Sequence, residues 1–139
     1  MKNKIIISIT ILFVLAVIGG VAIMLFSLKQ PPKTKPAGAG KFDLTNYQWE
    51  IETFPSDKNV GQVDDANTAI EKSKEIWLDK YSEVNGQPYN PINGRKIEVS
   101  YDSKKECWHI NGTLPPDVDG AAPNALIQKE GQVLAVWMG

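Results

Sequence analysis

The sequence predicts an α+β fold: one helix packed on a four-stranded antiparallel sheet, preceded by a single N-terminal transmembrane helix. Three observations predict it. Residues 5–28 carry no charge and are overwhelmingly apolar. Residues 63–82 repeat their apolar side chains at helical spacing, and after residue 94 the pattern changes to the alternation of short strands, punctuated by Pro and Gly.

The uncharged run is 24 residues long and is bracketed by Lys4 and Lys29. At ~1.5 Å rise per residue it forms a helix of roughly 36 Å, enough to cross a ~30 Å hydrocarbon core with some tilt. Ser8, Thr10, Gly19, Gly20 and Ser27 interrupt it, and a membrane helix tolerates them. Secretion after signal cleavage is the alternative, because Lys2 and Lys4 make a charged start and "AGAG" at 37–40 offers a small-x-small site. The apolar run exceeds the ~7–15 residues of a cleaved signal, so residues 1–29 read as a signal anchor. No Cys follows it, which excludes lipid attachment of the bacterial lipoprotein kind. Lys2 and Lys4 on one side nearly balance Lys29, Lys33 and Lys35 on the other. A short charged start usually stays in the cytoplasm, which makes the chain single-pass with its folded part extracytoplasmic.

Residues 30–40, "QPPKTKPAGAG", form a Pro/Gly/Lys linker with no large apolar side chain. All 16 acidic residues lie beyond it, with 10 of the 15 basic ones, so residues 41–139 carry a net charge of −6 that the whole-chain value of −1 conceals. Such a domain disfavours nucleic acid and attracts cationic partners, and the same charge also serves solubility. A single cysteine, Cys107, allows no internal disulfide and reads as a small buried hydrophobe.

Residues 41–62 read as an extended arm. Tyr47, Trp49 and Ile51 alternate with Gln48, Glu50 and Glu52, as in a short strand or a segment covering a sheet edge. The small α+β domain proper spans 63–139. In its helix Asp64 or Asp65 caps the first amides, and Ala66, Ala69, Ile70, Ser73, Ile76, Trp77 and Tyr81 share one face. Turn residues crowd 85–94 and end it. "RKIEVSYD" and "ECWHINGT" alternate as two strands, and Pro115 and Pro116 break the ladder. Residues 124–129 and 132–138 form a hairpin about Glu130 and Gly131. The last strand is apolar on both faces and therefore needs cover on both. Trp77, Tyr81, Tyr101, Trp108 and Trp137 fall on predicted inward faces.

No catalytic constellation emerges. His109 is the only histidine and alternates away from Trp108 and Ile110, as a strand histidine does. Cys107 and His109 supply two zinc ligands where a structural site needs four. "DVDG" at 117–120 lacks the remaining oxygen ligands of a calcium loop. "NGT" at 111–113 fits the N-glycosylation pattern and equally a strand end. Neither a nucleophile with its base nor a phosphate-cradling loop is present, so no cofactor, metal or small-molecule substrate is expected.

The helix "NTAIEKSKEIWLDKY", the strand "WHINGTLP" and the hairpin "GQVL" together resemble a bacterial immunity protein family with a nuclear transport factor two-like, cystatin-like fold. The match spans about 63–138. Tyr81 is followed by Ser82 where the family has Gly, and "DGAAPN" stands where it has a Gly-Gly pair. The resemblance implies stoichiometric binding and neutralisation of a cognate polymorphic toxin and implies no particular contact residues. The alternative is a membrane-anchored envelope module that regulates a secreted hydrolase or sensor. A small isomerase is a further class, disfavoured because the inward positions are filled by large side chains. For a basic protein partner the candidate contacts are Asp64, Asp65, Asp117 and Asp119, expected at one end of the domain, together with Trp49 and Tyr89.

Overall fold

The computed structural model describes residues 38–139. The transmembrane helix expected at 5–28 and nearly all of the 30–40 linker lie outside these residues. Among the described residues no helix is long and apolar enough to cross a membrane.

Within the described residues, seven strands and two α-helices succeed one another. They are β1 (Gly40–Lys41), α1 (Gln48–Thr53), α2 (Ala66–Lys80), β2 (Glu83–Val84), β3 (Gln87–Pro88), β4 (Lys96–Asp102), β5 (Cys107–Thr113), β6 (Pro123–Gln128) and β7 (Val133–Met138). A one-turn 3-10 segment, Leu44–Tyr47, leads into α1. The main sheet has the order β1-β4-β5-β6-β7. The expected four-stranded antiparallel sheet with one helix is therefore corrected to a five-stranded mixed sheet with two helices. Strand β1 runs parallel to β4, pairing Gly40 with Ser100 and Lys41 with Tyr101. Two residues carry no periodicity, which is why alternation could not reveal this strand. A Cβ on Gly40 would stand 2.9 Å from Ser100 Oγ, so a larger residue there requires that hydroxyl to rotate aside.

The second correction concerns residues 42–54. Their alternation suggested a strand; they form the 3-10 turn and α1. Tyr47, Ile51 and Phe54 recur at i, i+4 and i+7 and pack on the sheet, while Trp49 remains 64% exposed on the outside. The helical repeat outweighed the two-residue one because a second apolar sheet face was waiting for it. Asp43 accepts from Thr45 N and Oγ1, capping the turn, and Asp102 accepts from Leu44 N at 2.9 Å, tying its start to the sheet.

The sheet is thus sandwiched. On the α2 face lie Trp77, Trp108, Ile110, Ala125, Ile127, Val133 and Val136; on the α1 face lie Cys107, Leu126, Ala135 and Trp137. Leu134 is the extra residue of a β-bulge opposite Leu126 and Ile127, which lets Val133 and Val136 share one face. This is how an all-apolar strand buries both sides. The indole N–H groups of Trp77 and Trp108 donate to Asn124 O and Val63 O, so both rings are buried without an orphan donor. Strand β7 ends the sheet, and residues 54–60 run along it as a strap: Val133 N donates to Lys58 O and Val136 N to Phe54 O. Asp65 caps α2 through Thr68 N. Asn85 and Gly86, at φ 53° and 75°, close a small β2–β3 ribbon, the turn that an Asn-Gly pair favours.

Candidate binding surfaces

The buried polar chemistry concentrates beneath α1. His109 points into the layer between sheet and α1, stacked on Trp137 at 5.9 Å and flanked by Tyr47 at 4.8 Å and Phe42 at 5.6 Å. Asn124 donates through Nδ2 to Ala122 O, so its Oδ1 is left to accept from His109 Nε2 at 3.0 Å. That fixes the tautomer: Nδ1 is the lone pair, 3.3 Å from the Tyr47 hydroxyl that donates to it. Burial lowers the imidazole pKa, against smaller opposing effects from Asn124 and Glu50. Every polar atom of this ring has a partner inside the protein, and the chain runs through to the backbone. Cys107, in the same layer, is fully buried, and burial pushes its thiol up to about 12, with Asp102 and Glu130 adding repulsion. It is a packed side chain and a poor nucleophile at neutral pH.

Two further polar groups act as internal ties. Burial opposes ionisation of Asp102, yet donors at Leu44, Lys105 and Lys104 outweigh it and lower the pKa. Arg95 donates to Gly112 O, Ala121 O and Tyr89 Oη, lacing together the segment before β4, the end of β5 and the loop before β6. Among the described residues no group of three or more His, Cys, Asp or Glu is placed to hold a metal ion.

The predicted contact residues separate into three places. Val63 N donates to Lys129 O, which seats the start of α2, with Asp64 and Asp65, at the end of the sheet bearing the hairpin turns after β4 and β6. Asp117 and Asp119 lie in the loop from β5 to β6, which antiparallel topology puts at the opposite end. The structure therefore does not bring the four carboxylates together. Asp65 is engaged as the α2 cap, whereas Asp64, Asp117 and Asp119 are exposed. Trp49 stands on the outer side of α1, edge-on to Phe54 at 5.7 Å. Tyr89 is half-buried and held by Arg95, a structural role more than a free contact.

A cleft of about 810 Å³ opens between the start of α2 (Asp65, Ala66, Asn67, Ile70) and the outer part of β4 (residues 96–100), with Gly38 and Gly40 at its end. Sequence reasoning missed it. The alternation of Lys96 and Glu98 with Ile97 and Val99 was visible, but nothing local says that the start of α2 stands off from this strand. A comparison of the chain with family models, curated proteins and solved structures finds no match in any of the three.

Proposed function

We propose that this chain is a protein-binding module that neutralises a cognate bacterial polymorphic toxin by stoichiometric association. One observation carries the reading furthest: the imidazole, the thiol and the buried carboxylate of Asp102 are all engaged or enclosed within the fold, while the rest of the acidic surplus over residues 41–139, whose net charge is −6, stands outside it. Groups held this way stabilise a rigid scaffold, and a rigid acidic scaffold binds cationic surfaces at low conformational cost. The resemblance to immunity proteins points the same way, its matching residues lying in α2, β5 and the β6–β7 hairpin. An inhibitor tethered at the envelope face meets a toxin that acts there. The experiment isolates the full chain from its native cells with the N-terminal segment retained and identifies what co-purifies. A protein whose toxicity is relieved when this chain is co-expressed supports the proposal. A non-toxic peptidase or sensor as the sole stoichiometric partner overturns it.

A further inference from the structure

The segment that covers the second face of the sheet is pinned at both ends. At one end Lys41 pairs with Tyr101 in β1, and Asp102 accepts from Leu44 N at 2.9 Å. At the other the 54–60 strap is bonded along β7, with Val136 N donating to Phe54 O. Between them the 3-10 turn and α1 cross the sheet, and none of their side chains is fully buried. A helix of six residues has no stability of its own, so α1 persists only while it is docked.

In mid-span the polar tie to the sheet is the Tyr47 hydroxyl, which donates to His109 Nδ1 at 3.3 Å. The bond uses the Nδ1 lone pair, so it exists only while the imidazole is neutral. Nε2 is already committed to Asn124 Oδ1, so an added proton enters at Nδ1. The hydroxyl then has to turn and accept, which leaves its own proton without a partner beneath α1. Phe42, Tyr47 and Glu50 face the ring from the covering segment, Ser100 lies opposite it on β4, Asn124 faces it from β6 and Trp137 from β7. Of these only Glu50 is charged. Burial outweighs the opposing effects of Asn124 and Glu50 and lowers the imidazole pKa from 6.5. Burial also pushes the Tyr47 hydroxyl up, so it keeps its proton throughout the acid range. The Trp137 ring attracts a cation, but less strongly than water does.

We propose that residues 45–53 form an acid-released cover: a proton on His109 Nδ1 frees Tyr47 and lets α1 lift off the sheet, while both ends of the segment stay pinned. Leu126, Ala135 and Trp137, apolar side chains enclosed at neutral pH, are then open to solvent. The Asp102 end survives the change. Burial opposes its charge, but the donors at Leu44, Lys105 and Lys104 outweigh it and keep the carboxylate ionised to lower pH. The opening is local, since the α2 face of the sheet takes no part in it. The cover operates whether or not the domain binds a toxin.

The test is hydrogen exchange of the full chain in detergent micelles, read peptide by peptide by mass spectrometry from neutral pH downward. Opening takes up one proton between the ordinary 6.5 and the lower folded value, so its equilibrium constant rises ~tenfold per unit of pH within that window. Corrected for intrinsic exchange at each pH, peptides from 48–54 should lose protection at that slope, including Phe54 N with its bond to Glu50 O. Peptides from β5 and β6 should keep theirs. His109→Phe should remove the slope. Tyr47→Phe keeps the ring and deletes the donor that favours neutral His109, so its slope should level off at a higher pH than in the parent. That variant decides the outcome if His109→Phe does not fold. Protection of α1 that is indifferent to pH overturns the proposal, and so does its loss together with that of β5 and β6, which is global unfolding. A slope that persists in His109→Phe, or levels off at the parent's pH in Tyr47→Phe, overturns it too.

Discussion

His109 shows how a lone titratable group is turned into structure. Its neutral tautomer is dictated by Asn124 on one side and the Tyr47 hydroxyl on the other. Burial lowers its pKa below the ordinary 6.5, so the unfolded chain takes up the proton first as pH falls. The stability held by the neutral ring is complete above that value and is lost as pH drops from 6.5 through the lower folded value. Urea midpoints measured across this window should fall with acid, and His109→Phe should flatten that slope even though it lowers stability overall; an unchanged slope refutes the assignment. Ser73 is the opposite case. Its hydroxyl is fully buried in α2 and has no hydrogen-bond partner. Ser73→Ala removes an unsatisfied group and raises helix propensity, for an expected gain of about 1 kcal/mol in denaturant unfolding. A loss of stability would show that the hydroxyl has a partner, such as a bound water.

Among the elements, α1 and the strap make this a sandwich and not a half-covered sheet. Both come from the segment that sequence alternation assigned to an extended arm. The strap crosses the β6–β7 turn where Gly131 has φ +102°, and a Cβ there would stand 2.3 Å from Gly61 O. Gly131→Ala thus meets a left-handed backbone and a backbone atom that cannot move aside. It should cost more than about 2 kcal/mol in thermal unfolding and expose the β7 edge to proteolysis within 54–60. The corresponding change at Gly86, also at positive φ but with open space around the added carbon, should cost less. Equal effects at the two positions would remove the close-approach argument. The strands β4 to β7 and helix α2 were legible because their periodicity is long enough to register. The two-residue β1 and the β2–β3 ribbon were not, although Asn85-Gly86 was a readable turn signal.

For the domain taken together, charge and topology set what can be recognised. The expectation that Asp64, Asp65, Asp117 and Asp119 line one end fails because Asp64 and Asp65 come directly after Val63, which is tied to Lys129, while β5 delivers Asp117 and Asp119 to the far end. A partner surface of ordinary size, as the proposed toxin would present, reaches one end only. Asp64→Lys and the pair Asp117→Lys with Asp119→Lys, compared separately, should therefore differ: only one set slows association with a basic toxin and weakens its salt dependence. Equal slowing by both sets would mean that steering comes from net charge alone, and no change from either would exclude these carboxylates. The cleft at β4 was illegible for a related reason. How far a helix stands off from a strand is a property of the packed pair and of no single residue.

The order of residues along the chain dictates helix α2 and strands β4 to β7, the Asp cap of α2, the break at Pro115 and Pro116, and an acidic domain behind a long apolar segment. These depend on side-chain spacing and charge, which are local. Folding in three dimensions settled the rest: the second layer beneath the sheet, the parallel β1, the partial burial of His109 among Phe42, Tyr47 and Trp137, and the cleft between α2 and β4. Each of these depends on segments brought together from distant parts of the chain. Their free energy comes from apolar area and hydrogen bonds that exist only once the two faces of the sheet have been covered.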